Sequence, residues 1–173
     1  MSTRPDSLER GFTLVELIVV IGILAILLAL LVPASQKVLP KLDEIGCMQN
    51  LRQLWMAFAP CATEPTGWPQ LPKGVKPGTI EEEKFWIEYS SRVLGVNKKT
   101  WLCPSIQRQM SHLPTNSQAP LIDYLPTLFD ARPNTPNKWP SMPWFTEIGN
   151  VHGHGNLSVD RDGHVSPLTP VSH

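Results

Sequence analysis

"GFTLVELIVVIGILAILLALLVPAS", Gly11 to Ser35, decides what kind of molecule this chain is. Sixteen consecutive residues within it, Leu17 to Val32, carry no charge and almost no polarity. From Phe12 to Ala34 there are 23 residues. As a helix they span about 35 Å, enough to cross a bilayer core of roughly 30 Å. A buried core helix is a poor reading, because no polar face interrupts the run and little chain remains to surround it. A cleaved secretory signal competes with an uncleaved span. Arg4 and Arg10 could form its basic end, and Val32-Pro33-Ala34 before Ser35 loosely imitates a cleavage site. Against it, the run slightly exceeds a usual signal core and Pro33 sits badly beside a cut. Glu16 lies directly against the run, and at the helix centre a carboxylate would cost about 2.5–3.5 kcal/mol. By itself it reads as a side chain snorkelling to the headgroups.

The whole chain has 173 residues, enough for one small domain beside the apolar run. Basic and acidic side chains balance at 15 each, so no basic surface points to nucleic acid and there is no acidic tail. Proline is the outlier: 18 residues, fifteen of them at or after Pro60. The first third can therefore be long helix, whereas the remainder must be rich in loops.

The start of the apolar stretch, Gly11-Phe12-Thr13-Leu14-Val15-Glu16, resembles type IV prepilins and the pseudopilins of type II secretion. The likeness runs for about 24 residues without a gap. It implies a leader over residues 1–11, cleavage after Gly11 by a prepilin peptidase and N-methylation of Phe12. Cleavage would create an α-ammonium on Phe12, and in a filament its natural partner is the Glu16 carboxylate of a neighbouring subunit. Paired, each charge lowers the other's cost and fixes register between otherwise interchangeable apolar rods. Pro33 falls where many members have a proline.

Beyond Pro33 the helix is expected to continue through residues 35–59. Val38, Leu42, Ile45, Met48, Leu51, Leu54, Trp55 and Phe58 recur at three- and four-residue intervals, an amphipathic stripe read as core packing. Pro40 should kink or open it. Residues 60–78 form a proline-punctuated loop. Thr79-x-x-Glu82 reads as a capping box opening a helix that ends at Gly95, with Phe85, Trp86, Tyr89, Val93 and Leu94 on its buried face. Between Trp101 and Gly149 only short strand-like pieces survive, and large aromatics are expected to fill the core. The tail "VHGHGNLSVDRDGHVSPL" reads as a β-hairpin. Arg161-Asp162-Gly163 as a three-residue loop pairs Val159 with Val165, Ser158 with Ser166 and Asp160 with His164, like with like.

"GCMQNLRQL", "WLCPS" and the spacing of His152 from Asp162-Gly163 extend the resemblance, since many pseudopilin-like proteins carry such segments. The resemblance implies a disulfide between Cys47 and Cys103, leaving Cys61 without a counterpart. It departs at Pro40, where unbroken helix would be expected. The His-x9-Asp-Gly segment is read as a structural turn, with Asp162 shaping it and Gly163 closing it. Three cysteines are an odd count, and no two lie two to four residues apart as zinc ligands usually do. His152, His154, Ser158 and Asp160 would share a face, read as polar surface rather than a metal cluster. Neither metal nor cofactor is expected, and no hydrolase or phosphate-binding motif is present.

The sequence thus predicts an α+β protein. A transmembrane helix over 12–34 and its periplasmic continuation over 35–59 would carry a head domain over 60–173 with a C-terminal antiparallel hairpin. The resemblance implies a structural subunit, not an enzyme, of a pseudopilus or pilus-like filament. Its partners would be other pilin or pseudopilin subunits, the prepilin peptidase, an inner-membrane assembly platform and membrane lipid. It would sit in the bacterial inner membrane by a single pass, the head periplasmic or, in a filament, extracellular. The contrasting reading is a membrane-anchored or secreted binding module, for carbohydrate for instance, using exposed Trp68, Trp139 or Trp144.

Overall fold

Helix α1 runs from Leu14 to Thr63, fifty residues assigned as helix without a break across Pro33, Pro40 and Pro60. The interruption expected at Pro40 is therefore not an end of helix, although proline still removes one backbone bond there. The structure is a computed structural model that describes residues 13–63, 65, 67–111, 120–153 and 155–168. Gly11, Phe12 and His154 lie outside the described residues. The chain divides into two compact units, Met1–Leu39 and Pro40–His173. The helical residues after Pro40 thus group with the head rather than forming a separate stalk.

In the first unit, Leu14–Leu31 is an 18-residue helical segment long and apolar enough to cross a membrane. None of that window is buried by the protein. Side chains such as Ile18, Ile21, Leu24 and Leu28 are all more than half exposed. That is what a helix solvated by lipid requires and what a soluble core helix cannot sustain.

The second unit is α+β. Helix α2 spans Ile80–Val93, a 3₁₀ turn Lys98–Trp101, α3 Pro104–Met110 and α4 Thr135–Lys138. Strands β1 (Tyr124–Pro126), β2 (Phe145–Glu147), β3 (Leu157–Val159) and β4 (Val165–Pro167) form one antiparallel sheet in the order β1-β2-β3-β4. The last pair aligns Leu157 with Pro167, Ser158 with Ser166 and Val159 with Val165, the register that side-chain character dictates.

The core is aromatic. Phe58 on α1 lies 5.1–6.3 Å, centroid to centroid, from the rings of Trp68, Trp86, Tyr89, Trp101 and Phe145. Cys47, Leu51, Leu54, Phe58 and Ala62 line the fully buried face of α1. The amphipathic stripe read from sequence is buried only in this C-terminal half, since Val38, Leu42 and Ile45 are exposed. Val93, expected on the buried face of α2, is also exposed.

The capping box expected at Thr79 is absent. Thr79 Oγ1 donates instead to the Lys76 carbonyl, and Glu82 reaches past Thr79 to accept the Gly78 N–H at 2.7 Å. Its other oxygen accepts from the Trp86 indole at 3.3 Å, and this second bond explains why Glu82 is buried.

Candidate functional site

Two places in the chain hold residues singled out from sequence. The first is the start of α1. Thr13 N and Thr13 Oγ1 both donate to Glu16 Oε2, at 2.9 and 2.8 Å, and Glu16 N donates back to Thr13 Oγ1 at 3.3 Å. This is a reciprocal capping box, with Glu16 at the third helical position. The carboxylate at the edge of the apolar run therefore serves its own helix, by accepting the Thr13 N–H, while the Thr13 hydroxyl takes the Glu16 N–H, which has no acceptor within the helix.

The second place lies in the head. Cys47 on α1 and Cys103, just before α3, are joined by a disulfide, with Cα atoms 5.2 Å apart. Their neighbours make the approach possible: a Cβ on Gly46 would stand 2.7 Å from Pro104 Cγ, so only glycine lets α3 start this close to α1. The segment carrying Cys103 is then fixed from three sides. Asn50 Nδ2 donates to the Leu102 carbonyl at 3.0 Å, and Gln107 Nε2 donates to the same oxygen at 2.8 Å. Cys103 N donates to Asp123 Oδ2 at 2.7 Å. Burial raises the Asp123 carboxyl to about 6; the Cys103 N–H opposes this and the Glu83 charge adds to it.

Against the disulfide stand Glu147 at the end of β2 and His152 in the loop that follows. His152 Nε2 is 3.7 Å from Cys103 Sγ and 3.3 Å from Glu147 Oε1. Their side chains are only 3% and 0% exposed. Glu147 Oε2 accepts the Leu157 N–H at 3.1 Å, whereas Oε1 is buried and accepts no hydrogen bond among the described residues. Burial pushes the Glu147 carboxyl up to about 7; the Leu157 N–H opposes this, and the charges of Asp123 and Glu44 reinforce it.

This corrects the reading of His152 twice. It does not share a polar surface face, and it is not part of the turn. Ser158, assigned to the same polar face, is buried as well, because β3 is an inner strand of the sheet. The turn itself consists of Asp160 to Gly163: Gly163 N donates to the Asp160 carbonyl at 3.0 Å, and Gly163 has φ +77°. Asp162 is exposed beside Arg161. The turn is seated on α1, where the Trp55 indole N–H donates to the Arg161 carbonyl at 2.9 Å. Cys61 is buried, outside the disulfide, with Sγ 4.0 Å from Tyr89 Oη.

Asn50, Asp123 and Glu147 escaped the sequence reading. Two of them left a signal. Asn50 lies three residues after Cys47 on the same helical face, and Glu147 lies two after Phe145, hence on the same inward face of β2. Asp123 left none. Of the tryptophans considered for a binding row, Trp68 and Trp144 are buried and Trp139 alone of the three is exposed.

Comparison with known proteins bears on the first place. Residues 6–32 match the family model described as the prokaryotic N-terminal methylation motif. Among curated proteins, prepilin peptidase-dependent protein D of Escherichia coli (strain K12) is 46% identical over 59 residues. That alignment covers 34% of this chain and 40% of the relative's own length. No solved structure gives a significant match. The chain is therefore type IV pilin- or pseudopilin-like in its N-terminal part, with an apolar helix suited to membrane anchoring.

Proposed function

We propose that the chain is a structural subunit of a type II secretion pseudopilus or a type IV pilus-like filament. The observation that carries this reading is that the methylation motif at residues 6–32 encloses Leu14–Leu31, a helical segment long and apolar enough to cross a membrane and not buried by the protein. On this reading the prepilin peptidase cuts after Gly11 and Phe12 becomes the methylated N-terminus. The helix holds the chain in the bacterial inner membrane beside other subunits and an assembly platform, and the head lies on the periplasmic side or, once assembled, outside the cell.

Glu16 then has two states. In the single chain its Oε2 is engaged by Thr13. In a filament the α-ammonium of a neighbouring Phe12 approaches the same carboxylate. That charge pair is worth most where water is scarce, and it sets the axial register between helices. A buried aromatic core with little solvent-facing aromatic surface suits a packing unit better than a carbohydrate-binding row. Proteins of this kind are structural, and the role assigned to the head is to fill and space a filament.

Intact-mass analysis of the chain extracted from membranes tests the reading. The expected mass begins at Phe12 and includes one added methyl group. A mature chain beginning at Ser35 would mean that an ordinary signal peptide had been removed, and the filament reading would fall.

A further inference from the structure

Cys47, Cys103, Glu147 and His152 come from a helix, a loop, a strand end and another loop, yet their ligand atoms all lie within 4.8 Å of one another. We propose that these four residues form a redox-gated metal site of the zinc class. It is closed to metal while the disulfide stands and four-coordinate once the disulfide is reduced.

The geometry is already close to what such an ion needs. Metal–ligand bonds of about 2.0–2.3 Å in a tetrahedron place neighbouring ligand atoms roughly 3.3–3.8 Å apart. His152 Nε2 to Glu147 Oε1 is 3.3 Å and His152 Nε2 to Cys103 Sγ is 3.7 Å, so two edges of the tetrahedron are in place. The Cα atoms of Cys47 and Cys103 stand 5.2 Å apart, and reduction frees both sulfurs to turn about their Cα–Cβ bonds toward a shared ion.

A second observation points to a ligand. Among the described residues Glu147 Oε1 is buried and accepts no hydrogen bond, although its partner oxygen is anchored by the Leu157 N–H. The polar neighbour of Oε1 is His152 Nε2 at 3.3 Å, a contact without hydrogen-bond geometry that offsets the lost hydration only in part. A cation seated against it would restore what burial removed. Anchoring of Oε2 also fixes the direction in which Oε1 points, as supporting hydrogen bonds do for metal ligands generally.

The donor set selects the ion. Two thiolates, an imidazole and one carboxylate suit zinc and its tetrahedral relatives, while calcium and magnesium would require a shell of oxygens. The side chains of His152 and Glu147 are 3% and 0% exposed. Four protein ligands leave no position for water, so the site is structural rather than catalytic.

The conversion balances with a dithiol reductant of the thioredoxin class. It transfers two electrons and two protons to the Cys47–Cys103 bond and itself becomes a disulfide. The incoming metal ion then displaces the two thiol protons to solvent and takes the thiolates. The chain would thus have two alternative cross-links at one place in the core, a covalent one and a coordinate one. The inference does not depend on whether the chain enters a filament.

Cobalt, a spectroscopic stand-in for zinc, tests it on the full chain in detergent. One sample is kept oxidised; the other is treated with a phosphine reductant and desalted anaerobically. The reduced chain should bind a single Co²⁺ with thiolate-to-cobalt charge-transfer absorption and the intense visible bands of a tetrahedral site, displaced by Zn²⁺. The oxidised chain should show neither. His152→Ala and Glu147→Gln should weaken binding tenfold or more, and Cys61→Ala should leave it unchanged. Absence of these bands in the reduced wild-type chain would overturn the proposal, as would equal binding by the oxidised chain. Should His152→Ala fail to fold, the comparison of the two redox states of the wild-type chain decides alone.

Discussion

Gly163→Ala isolates the turn that joins the last two strands. Gly163 has φ +77°, in the left-handed region, where an L side chain costs roughly 1–2 kcal/mol. The new methyl would also meet a neighbour: a Cβ there lies 3.0 Å from both Cε3 and Cζ3 of Trp55. That ring cannot swing away freely. Its N–H is bonded to the Arg161 carbonyl at 2.9 Å, and it packs tilted against Trp144 at a centroid distance of 6.3 Å. A crowded contact of this kind adds at least about 1 kcal/mol, and the two effects together give about 2–3 kcal/mol. For a chain of this size each kcal/mol lowers the melting temperature by roughly 2–4 °C, so a fall of about 4–12 °C is expected. Tryptophan fluorescence during thermal unfolding of the oxidised, detergent-solubilised chain reads it directly. Gly163→Asn separates the two effects, because asparagine tolerates the left-handed backbone yet brings the same Cβ. It should recover part of the loss. A Gly163→Ala melt within about 0.5 kcal/mol of wild type, or a melt that responds to a chelator and not to the substitution, would refute this account of the turn.

Three further outcomes follow from the same geometry. Gly46→Ala should destabilise by about 1–3 kcal/mol through its clash with Pro104; in a Pro104→Ala background the loss should shrink, and an equal loss in both would remove that contact as the cause. Replacing Cys47 and Cys103 together with alanine, measured by denaturant unfolding without metal, should cost roughly 4 kcal/mol for a sequence separation of 56 residues. A loss below about 1 kcal/mol would mean that the closed loop is already restrained in the unfolded chain. Glu16→Ala should leave membrane insertion intact while copurification with other pilin-like subunits falls; unchanged copurification would leave Glu16 with only its capping role toward Thr13.

What could be read in the sequence was what short range decides. The apolar run is visible because lipid solvates every face of a helix, so composition alone identifies it. The β3–β4 register was legible because each candidate pair could be tested against its neighbours, and only one loop length matches Val159 with Val165. Capping was legible in principle and misplaced in practice. Thr13-x-x-Glu16 and Thr79-x-x-Glu82 have the same spacing, but only the first closes a reciprocal box. At the second, Trp86 sits one turn beyond Glu82 and draws its carboxylate inward, leaving Thr79 to bond backwards to Lys76. The α1 stripe failed for a related reason. Ile45 and Leu51 obey one period, and only a packing partner, which the sequence does not display, buries the second and leaves the first exposed.

The cluster at the disulfide was illegible for a stricter reason. Spacing along the chain reveals a metal site when ligands are supplied in close pairs from one loop, since such pairs need little folding to converge. Here no two of the four donors belong to such a pair. Cys47 and Cys103 are 56 residues apart, and they meet only because Gly46 admits Pro104 and because Asn50, Gln107 and Asp123 hold the segment between them and the sheet. Glu147 and His152 join them only because β2 pairs with β1, which places Glu147 opposite Tyr124, next to Asp123 in the chain. The site is therefore a product of the sheet topology and of one glycine contact. It should be lost together with them: any change that separates α3 from α1 removes the cluster, whatever becomes of its four ligands.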